Sequence, residues 1–270
     1  MYITDFTYDD INLSSFGFIV CTFNTASQDT ISNGSNIEFS TVPMQGGKYF
    51  ALANSKYSEA LTATFTICKN PCVSNYNPIL SVTEISQITS WLNRRDFHEL
   101  RIDTPGYEHL FFYGSFRSVS RVEFGGDVIG LQFEFIANAP FAYEDEREDT
   151  LVFTQTGRQD LNVYTDDIGE FYPEEVTIEC GNAGVLQIGN CRILGCEANE
   201  IITLNYPMIS TSASSHDIQN DFNYNFISLY KNTSSEYDVN HIELGGVRAT
   251  SLVSRCTITF RYCPIRKIGL

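Results

Sequence analysis

The sequence predicts a mainly β protein with two β-domains and one α-helix, which lies in the first domain. Apolar and polar residues alternate with a period of two in many short segments, as in strands that have one face in water. Phe and Tyr are abundant, with 20 and 15 among 270 residues, and flat aromatic rings suit the pleated, half-buried surface of a sheet. Only one segment, shortly after residue 80, has helical spacing.

Strands are predicted throughout the first half of the chain. Residues 61–67 alternate apolar side chains with threonines, which predicts a strand with one wet face. Residues 16–21 form a continuous apolar run and predict a buried strand, whereas residues 44–49 contain two glycines and predict a turn. Further strands are predicted over residues 99–103, 110–114 and 131–136, with a hairpin turn at 125–127.

A capping box predicts the helix, over about residues 82–94. The Ser81 hydroxyl is placed to accept a hydrogen bond from the backbone N–H of Glu84, and the Glu84 carboxylate is placed to reach back to Ser81. Arg94 and Arg95 are predicted to lie in the last turn, where positive charge favours the helix dipole.

The apolar stripe of this helix predicts how it packs. Ile85, Ile88 and Leu92 recur at helical spacing, and Trp91 lies beside them. Because the stripe is needed to cover the sheet, Trp91 is predicted to anchor the core. Stacking of a sugar on this tryptophan is the weaker alternative.

Six consecutive charged residues, 144–149, mark the clearest change of composition. Such a run does not fit in a core, and domain boundaries favour polar linkers. We therefore predict a first domain over residues 1–143, an acidic linker over 144–150 and a second domain over 151–270. The alternative is a solvated loop within one domain.

The second half is more uniformly β. Residues 176–180, 202–206 and 257–262 alternate, and Gly and Asn turns between short strands predict a sandwich or jelly roll. Residues 210–225 are rich in Ser, Asp and Asn and predict an exposed loop.

The excess of acidic over basic residues limits the kinds of molecule that the protein can bind by charge. The chain carries 33 acidic and 17 basic residues and a net charge of -16. Nucleic-acid affinity comes largely from Lys and Arg, so binding of DNA by charge is disfavoured, as is binding to anionic membranes. The charge serves solubility or, in a sharper interpretation, forms a repulsive wall past which DNA slides.

The absence of targeting signals predicts a cytoplasmic site of synthesis. The amino terminus has no basic region followed by an apolar stretch, and no apolar run is long enough to span a membrane. The eight cysteines are therefore expected to be thiols.

No pattern of catalytic, cofactor-binding or metal-binding residues is found. The pairs Cys68/Cys72 and Cys191/Cys196 lack the spacing of a zinc site, so buried small side chains are the preferred interpretation. Nucleophile elbows, phosphate loops and His-Glu-x-x-His are absent. We predict a protein that is not an enzyme and has no cofactor. Paired carboxylates of a glycoside hydrolase leave no local signature, so a wall-degrading hydrolase stays a third hypothesis.

The order of elements resembles the distal tail proteins of long-tailed, siphovirus-type bacteriophages along nearly the whole chain. No single motif is decisive. The resemblance is carried by the helix with Ile88, Trp91 and Leu92, the strand 100–103, Phe133 and Phe135, the closing segment 139–143, then residues 226–230, Gly245-Gly246 and 256–262.

The resemblance implies a fold and a role. The first domain would be a β-sandwich or barrel like a tail-tube subunit and would form a hexameric ring, and the second would be a galectin-like sandwich. The ring would join the tail-tube protein to the tail-associated hub protein at the virion tail tip, after assembly in the bacterial cytoplasm. It could also anchor receptor-binding proteins, while DNA passes through its lumen without specific binding.

A carbohydrate-binding module that recognises a host-surface glycan is the alternative function. Tyr206, Tyr224 and Tyr230 of the second domain are the exposed aromatic candidates for stacking on a sugar. The competing interpretation, which we prefer, places these tyrosines in strand cores or edges.

Overall fold

The chain divides into two compact units. In the computed structural model, residues 3–21, 37–43, 50–72, 77–233, 235, 237–245 and 251–268 are described. Unit 1 comprises residues 1–144 and 266–270, and unit 2 comprises residues 145–265. The predicted mainly β fold class is confirmed, and each unit is built on antiparallel sheets.

Unit 1 is a large antiparallel sheet with one α-helix and a separate two-stranded ribbon. The sheet has the order β2-β1-β7-β8-β9-β6-β3, with β10 pairing β8 off this path, and β4 and β5 form the ribbon. The elements are β1 (Asp5–Tyr8), β2 (Ile11–Asn12), β3 (Phe18–Val20), β4 (Ile37–Pro43), β5 (Phe50–Tyr57), β6 (Thr62–Lys69), α1 (Val82–Leu92), β7 (His98–Asp103), β8 (Leu110–Phe124), β9 (Asp127–Ala137) and β10 (Ala142–Glu144).

Phe116 lies at the centre of an aromatic core in unit 1. Its side chain is fully buried, and neighbouring rings approach it mostly edge to face, an arrangement that aromatic pairs prefer. Its ring centroid lies 5.1–6.0 Å from those of Phe6, Tyr8, Phe65, Phe133 and Phe135.

Trp91 anchors α1 to this core, as predicted. The residue is 5% exposed, and its ring stacks on Phe6 at 6.0 Å and lies 4.8 Å from Phe16. The indole Nε1–H donates a hydrogen bond to the backbone oxygen of Tyr8 at 3.2 Å. Burial and a satisfied N–H leave this ring no free face for a sugar.

The capping box at the start of α1 is confirmed. The backbone N–H of Glu84 donates to Ser81 Oγ at 3.3 Å, and the Ser81 N–H donates to Glu84 Oε2 at 2.7 Å. These two bonds satisfy amides that have no partner within the helix.

The helix is two residues shorter at its carboxyl end than predicted. The helix ends at Leu92, because Asn93 leaves helical geometry with φ −84° and ψ 82°. Arg94 therefore lies beyond the last turn, where its Nε donates to the Trp91 backbone oxygen at 2.8 Å and its Nη1 to Asp9 at 2.5 Å. This guanidinium holds the pKa of Asp9 below its ordinary value.

The buried strand predicted over residues 16–21 is shorter than expected. Phe16 ends a 3₁₀ turn (Leu13–Phe16), and Gly17 adopts a left-handed φ of 77°, so only Phe18–Val20 is extended. Glycine is suited to such a conformation. The predicted turn at residues 44–49 lies outside the described residues.

Unit 2 is a β-sandwich. A five-stranded sheet has the order β11-β21-β14-β17-β18, a four-stranded sheet has the order β12-β20-β15-β16, and β13 pairs β19. Buried side chains of both large sheets belong to one core cluster, so the sheets share a core. The elements are β11 (Arg147–Phe153), β12 (Gly157–Tyr164), β13 (Gly169–Phe171), β14 (Glu175–Cys180), β15 (Gly184–Ile188), β16 (Cys191–Cys196), β17 (Ile201–Asn205), β18 (Met208–Thr211), α2 (Ile218–Asp221), β19 (Leu229–Lys231), β20 (Tyr237–Leu244) and β21 (Cys256–Tyr262). A last short strand, β22 (Ile265–Arg266), belongs to the sheet that contains β10.

The structure differs from the predicted linker over residues 144–150. Most of that segment belongs to β11, an edge strand of the five-stranded sheet. Its charges are accommodated because Glu148 pairs with Arg261 at 3.0 Å and Asp149 accepts a hydrogen bond from the Tyr262 hydroxyl at 3.0 Å. The chain end from Arg266 groups with unit 1, where Arg266 pairs with Glu144 at 3.0 Å.

The predicted loop over residues 210–225 is partly ordered and partly buried. It contains the end of β18 and the short helix α2, with Ile218 and Phe222 in the core. Tyr206, predicted inside a strand, instead lies in the β17–β18 turn, in a cis peptide bond with Pro207.

Substituting Phe116→Ala tests the aromatic core of unit 1. Loss of a fully buried ring is expected to lower the free energy of unfolding by about 3–5 kcal/mol. Trp91 is the one tryptophan of the sequence, so its fluorescence during urea denaturation reports on unit 1. The control Phe124→Ala removes a ring that is 77% exposed and should change stability by less than about 0.5 kcal/mol.

Candidate assembly surfaces

The ribbon β4–β5 presents an apolar face outside the core of unit 1. Cross-strand register places Ile37, Phe39 and Leu52 on one face, where they are 42%, 63% and 58% exposed. None of the three belongs to the described core cluster. Tyr57, at the base of the ribbon, is half-buried and contacts the Phe141 ring at 6.0 Å.

The opposite face of the ribbon is mostly polar. Glu38 faces Lys56 across the strands, and their side chains form an ion pair at 3.1 Å. Ser40 and Asn54 occupy the next position on this face, before a bulge. A two-stranded ribbon with one apolar face is marginally stable alone in water. Burial of this face against another surface would therefore stabilise the ribbon.

An open groove lies between α1 and the long hairpin β8–β9. Val82, Ile85, Val119 and Leu131 line it together with hydroxyl-bearing residues of the helix. Val82, at the start of the helix, is 83% exposed. The groove is thus a second surface of unit 1 with apolar side chains accessible to another protein.

Unit 2 carries a continuous set of aromatic rings, which we call the aromatic face. Tyr172 stacks on Tyr206 with centroids 4.5 Å apart and planes within 7°, and Tyr206 meets Phe226 edge to face at 5.3 Å. Phe226 contacts Phe222 at 5.1 Å, and Phe222 contacts Tyr224 at 5.1 Å. Tyr172, Tyr206 and Tyr224 are 45%, 56% and 57% exposed.

The fold therefore brings together two of the three tyrosines singled out in the sequence. Tyr206 and Tyr224 reach the aromatic face from a hairpin turn and from the segment after α2. Tyr230 lies in β19, where it is 51% exposed and its backbone N–H donates to Asn240 at 2.7 Å. The preferred interpretation of these tyrosines as strand residues is wrong for Tyr206 and Tyr224.

Hydrogen bonds fix the segment that carries Tyr224. The Asn223 Nδ2 donates to the backbone oxygen of Asn190 at 2.8 Å, and its Oδ1 accepts from the backbone N–H of Arg192 at 3.1 Å. The Tyr224 hydroxyl donates to the backbone oxygen of Gln219 at 3.1 Å. The rings are therefore held by the sandwich rather than by a free loop.

A buried ion pair holds the loop that leads into α2. His216 Nδ1 lies 2.6 Å from Glu200 Oε1, and the two side chains are 2% and 0% exposed. Glu200 also accepts from the Thr211 hydroxyl and from the Glu197 backbone N–H. His216 Nε2 has Asp221 at 3.5 Å.

Both pKa values of this pair move toward the charged forms. Burial opposes charge on each group, but for Glu200 the hydrogen bonds from Thr211 and the Glu197 backbone, with His216, outweigh it and lower its pKa. Glu200 likewise outweighs burial at His216 and raises its pKa. A charged, buried pair costs several kcal/mol when one partner is removed.

The cysteines fit structural roles. Cys180, Cys191, Cys196 and Cys256 are buried on strands, as the preferred interpretation of small core side chains predicts. Burial raises the pKa of Cys191 and of Cys256 to about 12, so both remain protonated thiols at neutral pH. Cys72 is exposed.

The described residues contain neither a cluster of metal ligands nor a membrane-spanning helix. In the described ranges, no three His, Cys, Asp or Glu side chains form a group that could hold a metal ion. None of the helices in that part of the chain has the length and apolarity that a membrane crossing requires.

The fold and its surfaces define a two-unit β-protein with exposed apolar and aromatic faces. A family model described as the phage tail protein N-terminal domain matches residues 1–139, and one described as the phage tail C-terminal domain matches residues 141–262. The chain belongs to this family of phage tail proteins. No curated protein matches it.

Solved structures agree on the fold. The crystal structure of the SPP1 Dit protein (gp 19.1), described as a paradigm of the hub adsorption apparatus in phages that infect Gram-positive bacteria, aligns with a TM-score of 0.57 at 12% identity. The alignment covers 97% of this chain and 99% of that one. The resemblance to distal tail proteins is thereby confirmed for the fold, and the family models confirm a phage tail protein.

More distant similarity is found to two structures of the phage p2 baseplate in its activated conformation, with Ca and with Sr. The TM-scores are 0.42 and 0.41 at 8% and 9% identity. These alignments cover 97% and 96% of this chain and 98% of each of those chains.

Removing His216 tests the buried pair. The raised pKa of His216 contributes stability that is complete below pH 6.5 and is lost as pH rises through the folded value, whereas the lowered pKa of Glu200 contributes stability above pH 4.5. His216→Ala is therefore expected to cost about 3–5 kcal/mol near pH 6 and less near pH 9.

Urea denaturation followed by circular dichroism at both pH values measures this difference. The matched control is His241→Ala, because His241 also pairs with a carboxylate, Asp160 at 2.7 Å, but is 48% exposed. Its loss should cost less than about 1 kcal/mol at either pH. An equal cost for both variants would contradict a special role of the buried pair.

Proposed function

We propose that this chain is a distal tail protein whose unit 1 assembles into a ring of six copies at the tail tip. The ring joins the tail tube to the hub and baseplate, and unit 2 offers a surface to further tail components such as receptor-binding proteins. The role is structural, with no catalytic step. The apolar face of the ribbon β4–β5 is the observation that carries the proposal, and family membership and the Dit fold support it.

The exposed apolar face of the ribbon supports assembly, because in the monomer its side chains do not contribute their full free energy of burial. Burying a large apolar side chain contributes about 1.5–3 kcal/mol, and Ile37, Phe39 and Leu52, which are 42%, 63% and 58% exposed, forgo about half of this in the monomer. Large apolar patches on the surface of a protein commonly mark contacts with other proteins. A neighbouring copy of the chain buries this apolar face without the need for another protein.

The geometry of such a contact favours a ring. A ribbon that docks on a different surface of the next copy makes a head-to-tail contact, and head-to-tail contacts close into rings when the rotation per subunit allows it. The groove between α1 and β8–β9 is a suitable receiving surface, since Val82, Ile85 and Val119 line it. The number six comes from the resemblance to distal tail proteins.

The charge distribution fits this division of roles. Unit 2 carries 18 acidic and seven basic residues, a net charge of -11, whereas unit 1 carries 15 and ten, a net charge of -5. A ring of unit 1 would still carry an excess of negative charge, which disfavours adhesion of DNA that passes through it. A lumen lined with Lys and Arg would contradict this part of the proposal.

Substituting Phe39→Asp tests the ribbon contact. A carboxylate at the centre of the apolar face is expected to prevent ring formation, because its burial against a neighbour is costly. Light scattering and negative-stain microscopy of the purified protein, alone and with the tail-tube and hub proteins of the same phage, measure assembly. Trp91 fluorescence should show unit 1 folded, since Phe39 lies outside the core cluster.

The matched control is Ser40→Asp. It adds the same charge at the next residue, on the polar face of the ribbon, and should leave assembly intact. Rings formed equally well by Phe39→Asp and wild type would refute the ribbon as the assembly contact. Loss of rings in both variants would point to charge on the ribbon rather than to its apolar face.

A further inference from the structure

We propose that the aromatic face of unit 2 is a docking site for a protein segment that combines apolar side chains with arginine. The inference concerns unit 2 and does not depend on ring formation by unit 1. Three observations support it: the residue types of the face, the state of the polar groups around it and its charge.

The residue types are those of a protein interface. Tyr, Phe and Met are enriched where proteins bind one another, and the face combines three exposed tyrosines with Phe226. Met208, two residues after Tyr206, is 68% exposed. The rings are held by the sandwich core and by the hydrogen bonds of Asn223, so binding costs little ordering of side chains.

Polar side chains beside the rings are engaged within the chain at Asn225 and Ser228, which disfavours a sugar ligand. Small polar ligands are bound by convergent donors and acceptors that are free to contact them. Here the Asn225 amide donates to the Asn190 backbone at 3.3 Å, and Ser228 Oγ donates to Glu170 at 2.5 Å. In addition, mutual stacking covers one ring face of both Tyr172 and Tyr206.

The charge of the face selects a basic partner. Its three segments, residues 167–174, 203–209 and 217–228, contain five carboxylates and no Lys or Arg. These carboxylates outnumber the two bordering basic residues, Arg192, whose backbone is bonded to Asn223, and His216, which lies 3.5 Å from Asp221. Arginine suits such a surface because its guanidinium stacks on aromatic rings and pairs with carboxylates.

Selection from a displayed library of random peptides on the full-length protein tests the proposal. We expect the selected peptides to be enriched in Arg next to apolar residues and to bind more weakly as salt is raised. Tyr206→Ala should weaken their binding by about tenfold or more, as for a hot-spot tyrosine. The control Tyr237→Ala removes a tyrosine of β20 that is 47% exposed and should leave binding unchanged.

A second pair of variants tests the charge without altering the rings. Glu174→Gln, two residues from Tyr172, should weaken peptide binding several-fold, whereas Glu243→Gln, on an exposed position of β20, should not. Circular dichroism verifies that all four variants are folded.

Several outcomes would overturn the proposal. Selected peptides that lack Arg, or that bind Tyr206→Ala as tightly as wild type, would exclude the docking site. A glycan array in which a saccharide binds wild type but not Tyr206→Ala would assign the face to a glycan instead. Failure of ring assembly has no bearing on these results, because that test concerns Phe39 of unit 1.

Discussion

Packing of aromatic rings around Phe116 is the interaction on which unit 1 depends. Rings from three elements of the sheet surround this side chain, and Trp91 of α1 stacks on Phe6, a member of the same cluster. Large flat side chains bury much area and have few rotatable bonds, so the cluster fixes the helix against the sheet. The groove between α1 and the hairpin β8–β9 is thereby held at a defined place on the surface of unit 1.

The same logic governs unit 2, where the core of the sandwich holds surface rings in place. Phe222 is buried and Phe226 packs against the core. Tyr206 and Tyr224 contact these two rings, and Tyr172 stacks on Tyr206. The His216–Glu200 pair and the Asn223 hydrogen bonds order the chain around α2, from which Tyr224 extends. Rigid presentation reduces the entropy that a partner loses on binding. The molecule therefore suits recognition by shape and apolar contact.

Local signals predicted the elements that they determine. The capping box at Ser81 and the alternation of residues 61–67 and 176–180 are properties of adjacent residues, and they predicted α1, β6 and β14. Helix α2 was not predicted, because its four residues are too few to show a helical period. The buried ion pair of His216 was not predicted either, because its partner Glu200 lies 16 residues away in the sequence. Tyr206 continued an alternating pattern, but Pro207 diverts the chain into a turn. The cross-strand register decides which residues of the ribbon share a face. The spacing of residues along the sequence does not reveal this register.

An electron cryomicroscopy structure of the assembled tail tip tests the account most directly. We expect six copies of this chain in a closed ring, with Ile37, Phe39 and Leu52 of each copy covered by its neighbour. A tail tip in which these three side chains face solvent, or in which the chain is present as isolated single copies, would contradict it.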